Sequence, residues 1–422
     1  MDVSILQKKI LYISYDGLTD SLGQSQILPY LNGLSNHGYQ FTILSFEKPD
    51  RFLKEKNQVE SLIAEANISW EPLSFTSKPP MLSKFYDAMR MKQKAKLLQR
   101  QHQFDMVHCR SYLAADVGLY LKRKFGVKFL FDMRGFWADE KKDGSWNVAN
   151  PVFKAIYQYY KNKEAQYLQE ADYIISLTEA GKKEMQKWIY YNSKIPVQVI
   201  PCCADMDLFS LTNLEQKKAA RQKLNIDDNK LVISYLGSIG TWYMLDEMLL
   251  FFRQLKEKYV DALFLVITHS PRQLIDKKIF SNGLDPKDFI ITQASRKGVP
   301  LLIKASDINI SFIKPVYSKI SSSPTKLGEV LSLGIPVICN DGVGDVRSIM
   351  NNVEGGFVLK GFSKQDFQQA IDSIPRLLKM DPRSIRDRAR LIFDLNYGID
   401  KYLSVYQKIF SPSQAVSEYR GS

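Results

Sequence analysis

Histidine and cysteine are scarce: four of each stand in 422 residues. Cys109, Cys202, Cys203 and Cys339 form no spaced pair of the metal or redox kind. His37, His102, His108 and His269 form no ligand cluster. A zinc-ribbon module, a disulfide framework and a histidine-rich metal centre are thereby excluded, and a reducing, cytoplasmic setting is expected. The opening residues, MDVSILQKKI, lack the basic-then-apolar order of a signal peptide. No segment reaches the uncharged length of about 18 residues expected of a membrane span; the most apolar long window, 231–252, contains Asp246 and Glu247. An acidic excess is also missing. The net charge is +13, with 28 basic against 23 acidic groups in residues 1–210 and 30 against 22 after them. A basic tail is therefore absent, and the spread excess favours anionic partners such as phosphates, nucleotides or an anionic membrane surface. No recognised nucleic-acid-binding module or basic-aromatic sheet is evident.

What is present is a chain long enough for two cores, 45% apolar and 24% charged. Short apolar, β-branched runs alternate with helical patterns. They fall at 9–16, 41–47, 104–111, 128–135 and 173–180, and again at 231–238, 261–268, 288–293, 307–313 and 335–341. Continuous apolar strands between helices predict parallel sheets covered on both faces, an α/β class with a doubly wound sheet in each half. A composition shift at 197–210 followed by the charged segment LEQKKAARQKLNI marks the boundary. Near the end, Ile399, Tyr402, Leu403, Tyr406 and Phe410 recur at helical spacing and predict one buried stripe.

The most informative stretch is SSSPTKLGEVLSLGIPVICND, 321–341. Pro324 suits the first turn of a helix, with Ser322 or Ser323 as its cap. Leu327, Val330, Leu331 and Leu333 form its buried stripe, Gly334 ends it, and a strand follows. Ser323, Thr325 and Lys326 thus stand at a helix N-terminus, where free N–H groups and the positive dipole end favour phosphate. Glu329 lies one turn on, within reach of sugar hydroxyls. An ordinary capped helix with solvated Lys326 and Glu329 is the alternative. The position at the carboxyl side of strand 307–313, where open sheets bind ligands, favours a site.

SSPTKLGEVLSLGIPVI resembles the donor-binding signature of the glycosyltransferase family 4 (group 1) type, enzymes of the GT-B fold. VQVIPCCADMDLF, ISYLGSIGTWYMLDEML and VPLLIKASDINISFI resemble that family's domain junction, the opening of its donor domain, and a later helix and strand. YISYDGLTDSLGQSQILPYL resembles its glycine-rich first loop. The resemblance implies two Rossmann-like domains facing a cleft. Residues 1–208 would be the acceptor side, joined by a returning C-terminal helix, 399–422, and residues 209–398 would bind the nucleotide sugar. It implies retaining transfer of a sugar to a glycan or lipid-linked acceptor, in surface polysaccharide or glycoconjugate synthesis, with no metal and no cofactor. Gly237, Ser238, Gly240, Ser321, Ser323, Thr325, Lys326 and Glu329 would hold the donor, and Gly17, Gly23 and Gln24 would form the acceptor-side loop.

The chain departs from the family pattern at three places. The first of two glutamates separated by seven residues would fall at Ser321; Glu329 matches the second, implied to hold the ribose. The Arg and Lys that often follow the YLGS strand are missing, so Lys326, with Lys319 or Arg296, would carry the diphosphate. The histidine often found near the strand end FDMRG is replaced by Asp132 or Arg134, the expected catalytic residues; a structural Asp–Arg pair is the alternative. Segments 83–101 and 181–194 combine basic and aromatic residues in the first half, which suits either an anionic membrane surface or solvated helix faces. The expected location is cytoplasmic, with attachment to the inner face of the membrane as a further option. A nucleotide-sugar isomerase and a non-catalytic partner of another transferase are the competing functional classes.

Overall fold

A computed structural model of the protein describes residues 7–411, apart from residues 67, 80 and 81. The strands of the first half are β1 (Lys8–Ser14), β2 (Tyr39–Glu47), β3 (Ile68–Ser74), β4 (Met106–Arg110), β5 (Lys128–Asp132), β6 (Tyr173–Ser176) and β7 (Val197–Val199). Those of the second are β8 (Val232–Leu236), β9 (Leu263–Ile267), β10 (Phe289–Thr292), β11 (Ile308–Ser311), β12 (Val337–Asn340) and β13 (Gly356–Leu359). They form two sheets, ordered β3-β2-β1-β4-β5-β6-β7 and β10-β9-β8-β11-β12-β13. Every pairing is parallel. Strands such as Ile10–Ser14 and Val232–Leu236 are buried without alternation because helices cover both faces.

The strand order reverses between β1 and β4 in one sheet and between β8 and β11 in the other. Crossovers leave in opposite directions there, and the carboxyl ends of the strands open a crevice. Register brings Ser14, Arg110 and Asp132 to one level across β1, β4 and β5. Chemistry-bearing residues are thus gathered at a strand edge by the sheet itself.

The helix Leu395–Phe410 packs on the first sheet, where Ile399, Tyr402, Val405, Tyr406 and Ile409 join the cluster around Ile10, Tyr12, Leu31 and Phe41. Its stripe is rotated from the expected one: Val405 and Ile409 are buried, whereas Leu403 and Phe410 sit at its margin. Residues 412–422 of the expected helix lie outside the described residues. The two chain crossings between halves pair with each other, Ala204 N–H to Phe393 C=O at 2.7 Å and Leu395 N–H to Ala204 C=O at 3.2 Å. Buried Arg386 binds one crossing, donating to the carbonyls of Phe209 at 2.6 Å and Met206 at 2.8 Å. Among the described residues no helix is long and apolar enough to cross a membrane.

The Tyr406 hydroxyl lies 2.7 Å from His108 Nδ1, both buried, and fastens the last helix to β4. Tyr406→Phe leaves an imidazole nitrogen unpartnered in the core, a loss of about 1–3 kcal/mol. A lower urea midpoint with an unchanged slope is expected, against a change within about 0.5 kcal/mol for Tyr397→Phe on the exposed side. Equal midpoints for the two variants would show that this contact does not hold the helix.

Candidate active site in the cleft

A cavity of about 690 Å³ lies where the two sheets face each other. From the first half, Tyr15, Asp16, Arg110 and Arg134 line it; from the second, Gly237, Ser238, Thr268, Ser323, Thr325, Lys326 and Glu329 do. These residues follow the carboxyl ends of β1, β4, β5, β8, β9 and β11. The two reversal points therefore share one space.

The second-half wall is built around the helix Thr325–Ser332. Pro324 occupies the cap position and no side chain caps the helix. The expected serine cap does not form, because Ser323 Oγ accepts instead from Cys202 N–H at 3.1 Å, on the first crossing between halves. Leu327 N–H donates to Pro324 C=O at 3.1 Å, while the N–H groups of Thr325 and Lys326, two residues that line the cavity, have no acceptor within the helix. One turn on, Glu329 is 1% exposed. Its carboxylate lies between Lys326 Nζ and Arg296 Nη1, each at 3.0 Å. A carboxylate this buried requires such partners, and they fix its orientation. Lys326 itself remains about a third exposed.

The turn after β8 needs glycine at one position. Gly237 has φ +151°, and a Cβ there would lie 2.8 Å from the Tyr235 hydroxyl, which donates to Ser238 C=O at 2.6 Å. Gly240 is not part of the wall: it bridges to Tyr243, and a Cβ on it would meet open space. Lys319, 6% exposed, lies 3.9 Å over the Trp242 ring and 3.3 Å from Glu140. Burial lowers its pKa, with Glu140 opposing that shift. Sequence reasoning named Lys319 only as an auxiliary, since nothing in its neighbours announces burial.

On the first-half wall, Arg134 reaches the cavity and Asp132 stands behind it. Asp132 Oδ2 accepts from the Tyr402 hydroxyl at 3.0 Å and lies 3.5 Å from His108 Nε2 and 3.8 Å from Arg134 Nη1. Burial raises its pKa, but Arg134, His108 and Arg110 outweigh that and hold it below the usual value. The His108 pKa is lowered by burial, against the pull of Asp132. The expected glycine loop meets the cavity through its neighbours Asp16, Ser21, Leu22 and Ser25. Gln24 points away, to Glu55 at 3.5 Å. Gly17 and Gly23 allow close packing: a Cβ on Gly23 would sit 2.2 Å from Gly17 O, and one on Gly17 would sit 2.6 Å from Glu47 Oε2. Buried Glu47 holds this loop, accepting from Leu18 N–H at 2.8 Å, Thr19 N–H at 3.0 Å and Ser45 Oγ at 2.6 Å. The run FTILSFE gave no sign of that role, since a strand-terminal Glu reads as solvated.

Ser321, where the resemblance places a first glutamate, is 1% exposed and does not reach the cavity. It belongs to a short 3-10 turn, Tyr317–Ser321, that clasps the first half. Phe136 N–H donates to Ser321 Oγ at 2.8 Å, Thr178 Oγ1 to Ile320 C=O at 2.9 Å, and Ser318 N–H to the Asp143 carboxylate at 2.9 Å. Beside it, Asp345 accepts from Glu179 N–H at 2.7 Å and Ala180 N–H at 2.9 Å.

The two basic-aromatic segments differ. Residues 181–194 are helical only to Met185, and their aromatics turn inward, Trp188 Nε1 to the Tyr317 hydroxyl at 3.2 Å and Tyr190 to Glu164 at 2.7 Å. The helix Leu82–His102 does present an apolar row, Leu82, Phe85, Tyr86 and Met89, to solvent. Among the described residues no group of three His, Cys, Asp or Glu side chains is placed to hold a metal ion.

Residues 216–390 match the family model described as Glycosyl transferases group 1, and residues 26–208 match the model described as Glycosyltransferase Family 4. Among solved structures, sucrose-phosphate synthase from Thermosynechococcus elongatus aligns with a TM-score of 0.74 at 15% identity, covering 96% of this chain and 99% of that one. Anabaena HepE in complex with UDP-glucose aligns at 0.70 and 13%, covering 95% and 99%. WaaG, described as a glycosyltransferase involved in lipopolysaccharide biosynthesis, aligns at 0.66 and 14%, covering 96% and 100%. A search of curated protein sequences found no significant match.

Asp345→Ala combined with Ser321→Ala removes three acceptors of first-half N–H groups. Bonds to a charged acceptor are worth about 1.5–3 kcal/mol each, so the cleft is expected to open. Small-angle scattering should give a larger radius of gyration for the double variant, with far-UV circular dichroism unchanged. An unchanged radius would mean that the two crossings and the remaining bonds of the clasp suffice to set the domain arrangement.

Proposed function

The chain belongs to the glycosyltransferase family 4 (group 1) type with the GT-B fold, and from that premise we propose that it is a retaining glycosyltransferase using a nucleotide-sugar donor. The carrying observation is the uncapped helix start at Thr325 with Lys326 and buried Glu329 on the cavity wall. In this reading the donor diphosphate lies against the first-turn N–H groups and Lys326, with Arg296 and Lys319 adding positive charge. A lysine serves there as a point charge. Glu329, oriented by its two cations, accepts from the ribose hydroxyls. HepE was solved with UDP-glucose, which makes uridine nucleotides the first donors to try.

The leaving diphosphate gains charge as the glycosidic bond breaks, and preorganised donors at that point lower the barrier. Among the described residues the carboxylates on the cavity wall are each beside a cation, Asp16 beside Arg110, Glu140 beside Lys319, and Glu329 between Lys326 and Arg296, and Asp132 behind the wall is committed to Tyr402; none of them is an obvious nucleophile. Same-face attack by the acceptor, with the leaving phosphate taking the acceptor proton, is therefore favoured, and it calls for no metal. Arg134 would position a phosphate or acceptor group, with Asp132 holding Arg134 from behind. The acceptor would be a glycan or a lipid-linked glycan, in surface polysaccharide or glycoconjugate synthesis at the inner face of the membrane.

Lys326→Ala is expected to weaken UDP binding roughly ten-fold or more, the worth of a charged hydrogen bond, and to weaken uridine binding far less. Glu329→Gln is expected to weaken both, since ribose is common to them. Calorimetry giving equal losses for UDP and uridine with Lys326→Ala would move the phosphate elsewhere.

Membrane contact would run through the apolar row of the helix Leu82–His102. Lys92 and Lys94 of that helix are engaged by the Tyr120 ring and by Glu71, so the exposed apolar side chains are the sharper lever. Phe85→Ser with Met89→Ser should reduce co-sedimentation with anionic phosphatidylglycerol vesicles and leave UDP binding intact. Wild-type protein that stays in the supernatant at low salt would make the row merely solvated and favour a soluble acceptor.

A further inference from the structure

We infer that Arg110 and Arg134 form a second anion site on the first-half wall of the cleft, built to hold an anionic group, phosphate or carboxylate, of the acceptor. The inference rests on the transferase reading only for the word acceptor; the anion site stands on its own geometry. Arg110, at the end of β4, is 3% exposed and lines the cavity. Its Nε and Nη1 are buried and have no hydrogen-bond partner. The nearest carboxylate, Asp16, lies 3.5 Å from Nε and is half exposed to solvent. Arg134 Nε is likewise buried and unpartnered. Its backbone is held at φ +56°, a left-handed conformation that a non-glycine residue adopts at a cost when surrounding structure imposes it.

Buried guanidinium nitrogens without hydrogen-bond partners are expensive, because water is removed and nothing replaces it; of the remaining Arg134 nitrogens, Nη2 donates to Cys202 Sγ at 3.2 Å, a weak acceptor. Asp132 does not settle the balance. Its one charge is shared among Tyr402, His108 and Arg134, at 3.0, 3.5 and 3.8 Å. Arg110 is also the N-cap of the 15-residue helix Ser111–Phe125, and no side chain caps that helix. Ser111 lines the cavity beside it. A helix start without a side-chain cap, its positive dipole end and the unpartnered nitrogens of two arginines thus border one cavity from the first half. That border belongs to β4 and β5, whereas Lys326 and Arg296 belong to the opposite domain. An anion between Arg110 and Arg134 is accordingly distinct from the donor diphosphate. It selects acceptors that carry a charge near the attacking hydroxyl, such as a phosphate-linked or uronic sugar, over neutral glycans.

The test is a titration of inorganic phosphate into the full chain, at low salt, followed by calorimetry, with and without saturating UDP. Phosphate is expected to bind with UDP present. Arg110→Gln should weaken that binding at least ten-fold, Arg110→Lys should restore part of it, and Lys326→Ala should change it less than two-fold. Asp16→Asn, at a half-exposed position, should tighten it several-fold and carries the test if Arg110→Gln does not fold. Unaltered affinity in Arg110→Gln or, failing that variant, in Asp16→Asn overturns the inference. So does phosphate binding that UDP abolishes and that Lys326→Ala and Arg110→Gln weaken alike, which would place Arg110 in the donor site. If UDP does not bind at all, the donor reading fails, while the phosphate titration still decides on Arg110.

Discussion

Glu329 is a carboxylate almost sealed from solvent at the floor of a cleft, and an ion so placed persists only with cations at hydrogen-bond distance. Lys326 supplies one from its own helix, and Arg296 supplies the other from the loop after β10. That three-residue contact fixes how the helix start meets the cavity. It also ties the β10 loop to the start of that helix, so the wall is made by two segments that share one charge. The helix has no side-chain cap. Its free N–H groups and Lys326 therefore face the same space, which is what an anionic ligand requires.

The second consequence concerns the clasp. A serine at 321 is short enough to be buried and to accept a hydrogen bond from the first half. A longer, charged side chain there would press on Gly135 and Gly181, which stand so close that a Cβ on either would lie 3.3 or 3.1 Å from Ser321. The departure from the family pattern is thus matched by neighbouring glycines and reads as part of how this cleft closes. The same closure buries Lys319 against Trp242 and Glu140, placing a basic side chain on the cavity wall.

Much of the fold was legible because parallel strands buried on both faces are continuous apolar runs, as in Ile10–Ser14 or Val232–Leu236. The strands that escaped notice lack that signature. β3 is a half-exposed edge strand carrying Glu71 and Pro72, β7 has three residues, and β13 begins at Gly356. In the site, the helix start at Thr325 followed from Pro324 and the apolar stripe after it. The cap did not, because Ser323 is drawn to Cys202 by a contact 121 residues away in sequence. Arg110, Glu47 and Lys319 owe their roles to burial imposed by distant segments, which no local pattern encodes. The aromatic residues of 181–194 misled for the same reason: Trp188 and Tyr190 look like surface anchors until Phe136 and Glu164 are seen beside them.

The central claim is that the isolated chain turns over a nucleotide sugar in this cleft with its own side chains. The most direct measurement is mass-spectrometric detection of nucleoside diphosphate released from a panel of nucleotide sugars, UDP-glucose among them, offered with a panel of neutral and phosphate-linked glycan acceptors in the presence of EDTA. The account predicts release from at least one donor, undiminished by the chelator. Release that stops with EDTA and returns with magnesium or manganese would contradict the metal-free mechanism. Tight binding of nucleotide sugars with no release from any of them would contradict catalysis itself and leave the chain a binding partner of another transferase.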